Sequence, residues 1–215
     1  MSVAPGPSVP ASQAVVGIVL GAGASTRLGR PKQLLPLGDT TVLARVVARV
    51  ERSSLDRVVV VVGGGGDDVV RSLHPGRARV VRNDAYGSGC ASSLLAGLDA
   101  AGECAAVMLL LGDMPEIDTA VIDELLVRWR AMPSWAAITS YRGQFGHPFI
   151  FSADAFATLR GLHGDKAVWK IVDHAPPDRL QRLAVDRPLP RDIDTWEDYV
   201  EVCATLGVPV APRSE

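Results

Sequence analysis

Three stretches of this chain concentrate residues able to handle a charged phosphate. The first reads Leu20-Gly21-Ala22-Gly23-Ala24-Ser25-Thr26-Arg27-Leu28-Gly29-Arg30-Pro31-Lys32. Glycines let backbone N–H groups close on phosphate oxygens, and Arg27, Arg30 and Lys32 add positive charge beside them. Only three of the 22 basic residues are lysines, so one inside such a loop carries weight. The loop is no P-loop, because it lacks Gly-Lys-Ser/Thr at the required spacing. Nor is it a dinucleotide fingerprint, since Thr26 stands where the third glycine belongs. The second stretch is Leu111-Gly112-Asp113-Met114-Pro115. A carboxylate directly after a buried strand needs solvent, a partner or a cation; Asp and Pro also suit the first turn of a helix. The third, Asp192-Ile193-Asp194-Thr195, sends two carboxylates to one face of an extended segment. There they can share a cation or cap a helix. Mg²⁺ is commonly held by one or two carboxylates together with substrate phosphates.

Two further segments are candidates for binding. Asn83, Gly87, Ser88 and Gly89 form a run of small residues against which a flat base could lie, although Ser88 or Asn83 could instead cap the helix that follows. Cys90, next in line, reads as a small buried residue. His147, in Gly146-His147-Pro148, is either a satisfied structural histidine or a contact for a second substrate. As a loop residue, Lys32 is expected to face solvent and support little packing.

These residues need elements to hold them. Residues 15–20, 57–62, 79–81 and 105–111 are continuous apolar runs, as expected of strands buried on both faces of a parallel sheet. Helical periodicity separates them at 42–52, 69–73, 90–101 and 117–132. That alternation predicts an α/β doubly wound domain with its ligands at strand carboxyl ends. Further on, 136–140 and 148–151 read as strands, and Ser152 as the cap of a helix through Leu159. Thr195 to Asp198 reads as a capping box opening a last helix through Leu206. Residues 1–13, rich in Pro, Ser and Ala, read as a flexible tail, residues 14–207 as the single domain, and 208–215 as a C-terminal tail.

Composition narrows the classes. The chain has 215 residues, 47% hydrophobic and 21% charged, with a net charge of −2. That is ordinary globular composition and argues against a general nucleic-acid binder. No apolar run approaches the ~20 residues of a membrane span, and no basic leader is read. Three scattered cysteines suggest reduced thiols and a cytoplasmic location.

The pattern Gly-x-Gly-x-x-x-Arg-x-Gly-x-x-Lys after the first strand resembles the signature of nucleotidyltransferases with a three-layer, Rossmann-like (GT-A-like) fold and a mostly parallel central sheet. Its extension through Gln33-Leu34-Leu35-Pro36-Leu37 is similar to the MobA/MocA-like branch, which attaches nucleotides to the molybdenum cofactor. The resemblance implies that Leu20, Gly21, Ala22 and Gly23, with Asn83, Gly87, Ser88 and Gly89, bind the nucleotide. It makes Arg27 and Lys32 the catalytic cations on the triphosphate, and Asp113 and Asp194 the ligands of Mg²⁺. His147 and Asp192 then face the acceptor. Paired aspartates at 192 and 194, and alanine rather than glycine at 22, are similar to cytidylyl rather than guanylyl members. The chain departs from the family pattern at Lys166-Ala167-Val168-Trp169-Lys170, where an arginine is usual.

The implied activity is transfer of CMP from CTP to the phosphate of molybdopterin, with a molybdoenzyme or its chaperone as protein partner. Two alternatives stay open at this point. One is guanylyl or other NTP transfer to molybdopterin or another phosphorylated acceptor. The other is a non-catalytic module that binds nucleotide or pterin and delivers it.

Overall fold

The structure is a computed structural model that describes residues 10–23, 28, 30–63, 66–162, 167–175 and 177–213. In chain order the elements are β1 (Val15–Gly21), β2 (Pro36–Leu37), β3 (Thr40–Thr41), α1 (Val42–Glu51), β4 (Arg57–Val62), α2 (Gly66–Ser72), β5 (Ala78–Arg82), α3 (Cys90–Ala101) and β6 (Ala106–Leu111). There follow α4 (Thr119–Ala131), β7 (Ala136–Tyr141), β8 (Gln144–Ser152), α5 (Phe156–Arg160), α6 (Ala167–His174), β9 (Leu180–Val185) and α7 (Trp196–Leu206).

Seven strands form one sheet in the order β5-β4-β1-β6-β8-β7-β9. β5, β4, β1 and β6 run parallel. β8 is antiparallel to both of its neighbours, and β9 returns parallel to β7. The strand runs are continuously apolar because each face has its own cover. Val15 and Val19 of β1, with Val58, Val60 and Val62 of β4, pack under α1, α2 and α4. Val16 and Ile18, with Val59 and Val61, pack under α3, α5 and Val172 of α6. The result is the three-layer, mostly parallel α/β fold expected from the sequence.

Strand order reverses at β1. The chain leaves β1 for β4 on one side and later returns to β6 on the other, which opens a crevice at their carboxyl ends. A third, smaller core closes over that end. It joins Leu35, Leu37 and Val42 to Ile193, Tyr199, Val202 and Cys203. Val208 and Ala211, set aside in sequence as tail, also pack against it. Helix α7 begins at a complete capping box, with Thr195 and Asp198 each bonding the other's backbone, and ends at Gly207 in the left-handed region. The expected helix from Ser152 is instead a short 3-10 turn running into α5, with no capping bond from the serine side chain.

Candidate active site

The glycine loop is shaped by neighbours distant in sequence. Gly112 N–H donates to Leu20 O at 2.9 Å, tying the loop after β6 to the end of β1. A Cβ at Gly112 would lie 3.0 Å from Gly21 Cα and 2.7 Å from a Leu43 methyl, so glycine allows the two loops to touch. Beneath them lies Gln33, only 3% exposed. Its amide donates to Gly21 O at 2.9 Å and to Gly23 O at 2.8 Å. Those bonds tie the buried Gly21 carbonyl and the more exposed Gly23 carbonyl to one side chain and set the curvature of the loop.

Over this loop lies an open cavity of about 320 Å³. Leu20, Gly21, Ala22 and Gly23 form one wall, Tyr86, Gly87, Gly89, Cys90 and Ser93 another, and Lys32, Gln33, Leu111, Gly112 and Asp113 the rest. Gly89 has φ 107 and stands at the N-terminus of α3 without a side-chain cap. Its conformation presents backbone rather than side chain to the cavity.

Lys32 lies at the centre of the charge. Its Nζ is 2.6 Å from Asp113 Oδ2 and 2.9 Å from Asp194 Oδ1. The two carboxylates are 81 residues apart in sequence and are brought together by a backbone bond from Ile193 N–H to Asp113 O, at 3.1 Å. Ile193 is fully buried, which turns Asp192 and Asp194 to the opposite side of the extended segment. Burial alone would lower the Lys32 ammonium, but Asp113 and then Asp194 outweigh it and hold its pKa above the ordinary lysine value. The side chain is only 13% exposed, so the expectation of a solvent-facing lysine is corrected. Asp113 does not cap the following helix, since α4 starts six residues later and is capped by Asp118.

Whether this pair fits a divalent cation can be tested on its own chemistry. Asp113 Oδ1 is buried and accepts no hydrogen bond. A desolvated carboxylate oxygen without a partner is costly, and a hard cation would satisfy it. Among the described residues no three His, Cys, Asp or Glu side chains form a full ligand set. Two carboxylates with phosphate and water completing the shell is the arrangement that suits Mg²⁺.

The cavity thus gathers Leu20, Gly21, Ala22, Gly23, Lys32, Gly87, Gly89 and Asp113, with Asp194 joined through Lys32. Arg27 lies outside the described residues. Asn83 and Ser88 do not line the cavity. The Asn83 amide donates to Ser92 Oγ and Ser93 Oγ, and its Oδ1 accepts from Ala85 N–H, so it fixes the loop. The Ser88 hydroxyl turns back to Ala85 O. Cys90 is exposed on the cavity wall, which corrects its reading as buried. The composition of an α3 face said nothing of its first residue, which precedes the packed turn.

His147 and Asp192 lie on the other side of Asp194. The His147 ring is 5% exposed, stacks on Phe149 at 4.2 Å and meets Trp169 edge-on at 6.1 Å. Its Nδ1 is 3.1 Å from Leu109 O, which requires Nδ1 to carry the proton. Burial pushes its pKa down to about 4. The neighbouring Thr139 hydroxyl donates to Pro148 O and the Tyr141 hydroxyl to His147 O. These side chains take over from ladder bonds interrupted where the β7–β8 register shifts. Asp192 borders a separate open groove of about 500 Å³ with Arg142, Gln144 and Leu189. Burial first, and then repulsion from Asp113 and Asp194, raise its pKa. Gln33, Tyr86 and Ser93 also line the cavity; Tyr86 and Ser93 belong to the segment whose aromatic and serine residues the family resemblance places along the nucleotide, without being singled out there. Gln33 stands in the sequence as an amide at the head of an apolar run.

Comparison with known proteins identifies the family and the fold. Residues 17–183 match the MobA-like NTP transferase domain. The chain is similar to purine catabolism protein PucB of Bacillus subtilis (strain 168), 28% identical over 201 residues that span 86% of this chain and 94% of that protein. It is also similar to nicotine blue oxidoreductase of Paenarthrobacter nicotinovorans, 32% identical over 145 residues, 65% of this chain and 71% of that protein. Among solved structures, Rv0371c from Mycobacterium tuberculosis H37Rv superposes with a TM-score of 0.81 at 36% identity, covering 90% of this chain and 99% of that one. A second structure of that protein, described as a complex with manganese, has a TM-score of 0.77 at 32% identity, covering 90% and 100%. With a glycine loop, a lysine and two converging aspartates at the switch point of its sheet, the chain belongs to the MobA-like NTP transferase domain family, a family of nucleotidyltransferases.

Proposed function

We propose that the protein transfers CMP from CTP to the phosphate of molybdopterin and releases pyrophosphate. The observation that carries this reading is Lys32, bridged to Asp113 and Asp194 at the edge of a glycine-walled cavity. An acceptor phosphate oxygen attacks the α-phosphorus, a new P–O bond forms, and the bond to the β-phosphate breaks. A phosphate monoester is already largely dianionic near neutral pH, its second pKa being about 6. No protein nucleophile or general base is therefore required. The protein supplies position and charge neutralisation: the glycine loop through its N–H groups, Lys32 through its ammonium, and Arg27 by its place in the motif.

Asp113 and Asp194 would hold Mg²⁺, which when bound supplies charge neutralisation on the phosphates. Asp192, two residues before Asp194 and bordering a second groove, is the candidate contact to the acceptor. His147 contributes by holding the wall between them; its Nδ1 is committed to Leu109 O. The choice of cytosine rests on Ala22, 5% exposed on the cavity wall. Its methyl narrows the slot beside Gly63 and Tyr86. A Cβ built on Gly63 would lie only 2.9 Å from it.

The test is pyrophosphate release from each of the four NTPs with and without molybdopterin. Release that requires both CTP and molybdopterin is the expected result. Preference for GTP refutes the cytosine assignment, and release from an NTP with a sugar phosphate in place of molybdopterin, but not with molybdopterin, refutes the pterin.

A further inference from the structure

Lys32 stands where two functions overlap. Its ammonium bridges Asp113 and Asp194 at 2.6 and 2.9 Å, the same pair that would hold a divalent cation. A cation with one positive charge thus already sits between the carboxylates of the nucleotide-free protein. The Lys32 stem also runs beside the glycine loop, its Cε 3.6 Å from where a Cβ of Gly23 would be. A phosphate seated on the loop would lie within reach of Nζ through rotations of the lysine side chain alone.

We propose that Lys32 is a resident counter-ion that keeps divalent metal off Asp113 and Asp194 until a polyphosphate arrives. This deepens the reading of the site given above and rests on its assignment of the metal ligands. Three charges decide the exchange. Without nucleotide, the ammonium cancels half of the pair's charge, and an incoming divalent ion meets a like charge at contact distance. With a triphosphate on the loop, four added negative charges draw the ammonium across and leave the carboxylates for the metal. Asp113 Oδ1, buried and without a hydrogen bond, is the oxygen that stays open to the metal in both states. The Asp192 carboxylate faces the same cluster and adds negative charge without reaching Lys32 by an ion pair. Metal and nucleotide then enter together, and a metal-loaded, nucleotide-free protein is disfavoured.

The experiment needs no turnover. Mn²⁺ binding to the full chain is measured by electron paramagnetic resonance without nucleotide, in the parent and in Lys32→Met and Lys32→Gln, with circular dichroism to verify the fold. The expected result is weak binding by the parent and at least tenfold tighter binding by whichever lysine variant folds. Asp113→Asn added to that variant should abolish the gain. Parent protein that binds Mn²⁺ alone as tightly as the lysine variants overturns the proposal, and so does a gain that survives Asp113→Asn. If the activity assay fails for every NTP while the lysine variants gain Mn²⁺ binding, the functional reading falls and the exchange stands.

Discussion

The two ends of the central sheet solve opposite problems. At the parallel end, β1 and β6 finish in glycine loops that leave charged groups partly open: Asp194 is 44% exposed and Lys32 13%. At the mixed end, the β7–β8 pair buries the His147 imidazole in an aromatic stack, with Phe149 on one side and Trp169 at the edge. One region keeps charge by pairing it; the other excludes charge by burial. The difference teaches where chemistry can occur. Phosphate transfer needs cations and carboxylates that can exchange partners, whereas the wall needs a histidine that stays neutral.

Substitutions should therefore separate activity from stability. The largest effect is expected at Asp113. Asp113→Asn removes the carboxylate with the orphaned oxygen, and nucleotidyl transfer should fall by at least about 10³, with secondary structure retained on circular dichroism. Lys32→Ala should lose roughly 10²–10³ in kcat. It should also lower stability, unlike a solvent-facing lysine, because two neighbouring carboxylates lose their counter-ion. Near-normal kcat in a folded Lys32→Ala protein would break the comparison at its active end.

The wall predicts the reverse pattern. The His147 pKa is depressed from 6.5 to about 4. The unfolded chain therefore takes up its proton first as the pH falls. The stability from this group is fully present above about pH 6.5 and is lost as the pH drops toward 4. A shift of that size corresponds to an effect on the order of 3 kcal/mol. Urea titrations between pH 7 and pH 4 should show it, and His147→Gln, less stable at pH 7, should show a shallower fall. An unchanged pH slope in His147→Gln would remove the histidine from the account.

Gln33 joins the two patterns. Gln33→Leu removes the amide that bonds Gly21 O and Gly23 O, and loss of the donor to the buried Gly21 carbonyl should cost about 1–3 kcal/mol. The loop should lose its curvature, raising KM for the nucleotide more than it lowers kcat. A stability loss with unchanged KM would make Gln33 a core residue only. The smallest effect is expected at Ala22. Ala22→Gly should relax the preference for CTP over GTP, and a single methyl in a pocket is worth about 1–3 kcal/mol, or roughly 10–200-fold in kcat/KM. An unchanged ratio discards the steric explanation.

Legibility in the sequence follows the same division. The parallel half was readable because burial on both faces writes each strand as an unbroken apolar run, such as the five valines of β4. The glycine loop and Asp113 could be located because each follows one of those runs. The mixed half was harder. β9 is an edge strand whose Gln181, Arg182 and Ala184 interrupt the pattern, and it went unread. The pairing of Asp113 with Asp194 depends on Ile193 N–H meeting Asp113 O, a contact across the chain that local spacing does not encode. Asn83 stands out as an amide beside glycines, yet its partners Ser92 and Ser93, nine and ten residues on in the first turn of α3, absorb it.

The most direct test of the central claim follows the transferred phosphorus. CTP labelled at its α-phosphate is incubated with Mg²⁺ and molybdopterin, using the parent protein and Asp113→Asn, and the pterin product is isolated. The account predicts label on the pterin, unlabelled pyrophosphate in equal amount, and loss of both in the folded Asp113→Asn protein. No label transferred from any of the four α-labelled NTPs, or transfer that persists in Asp113→Asn, would contradict it.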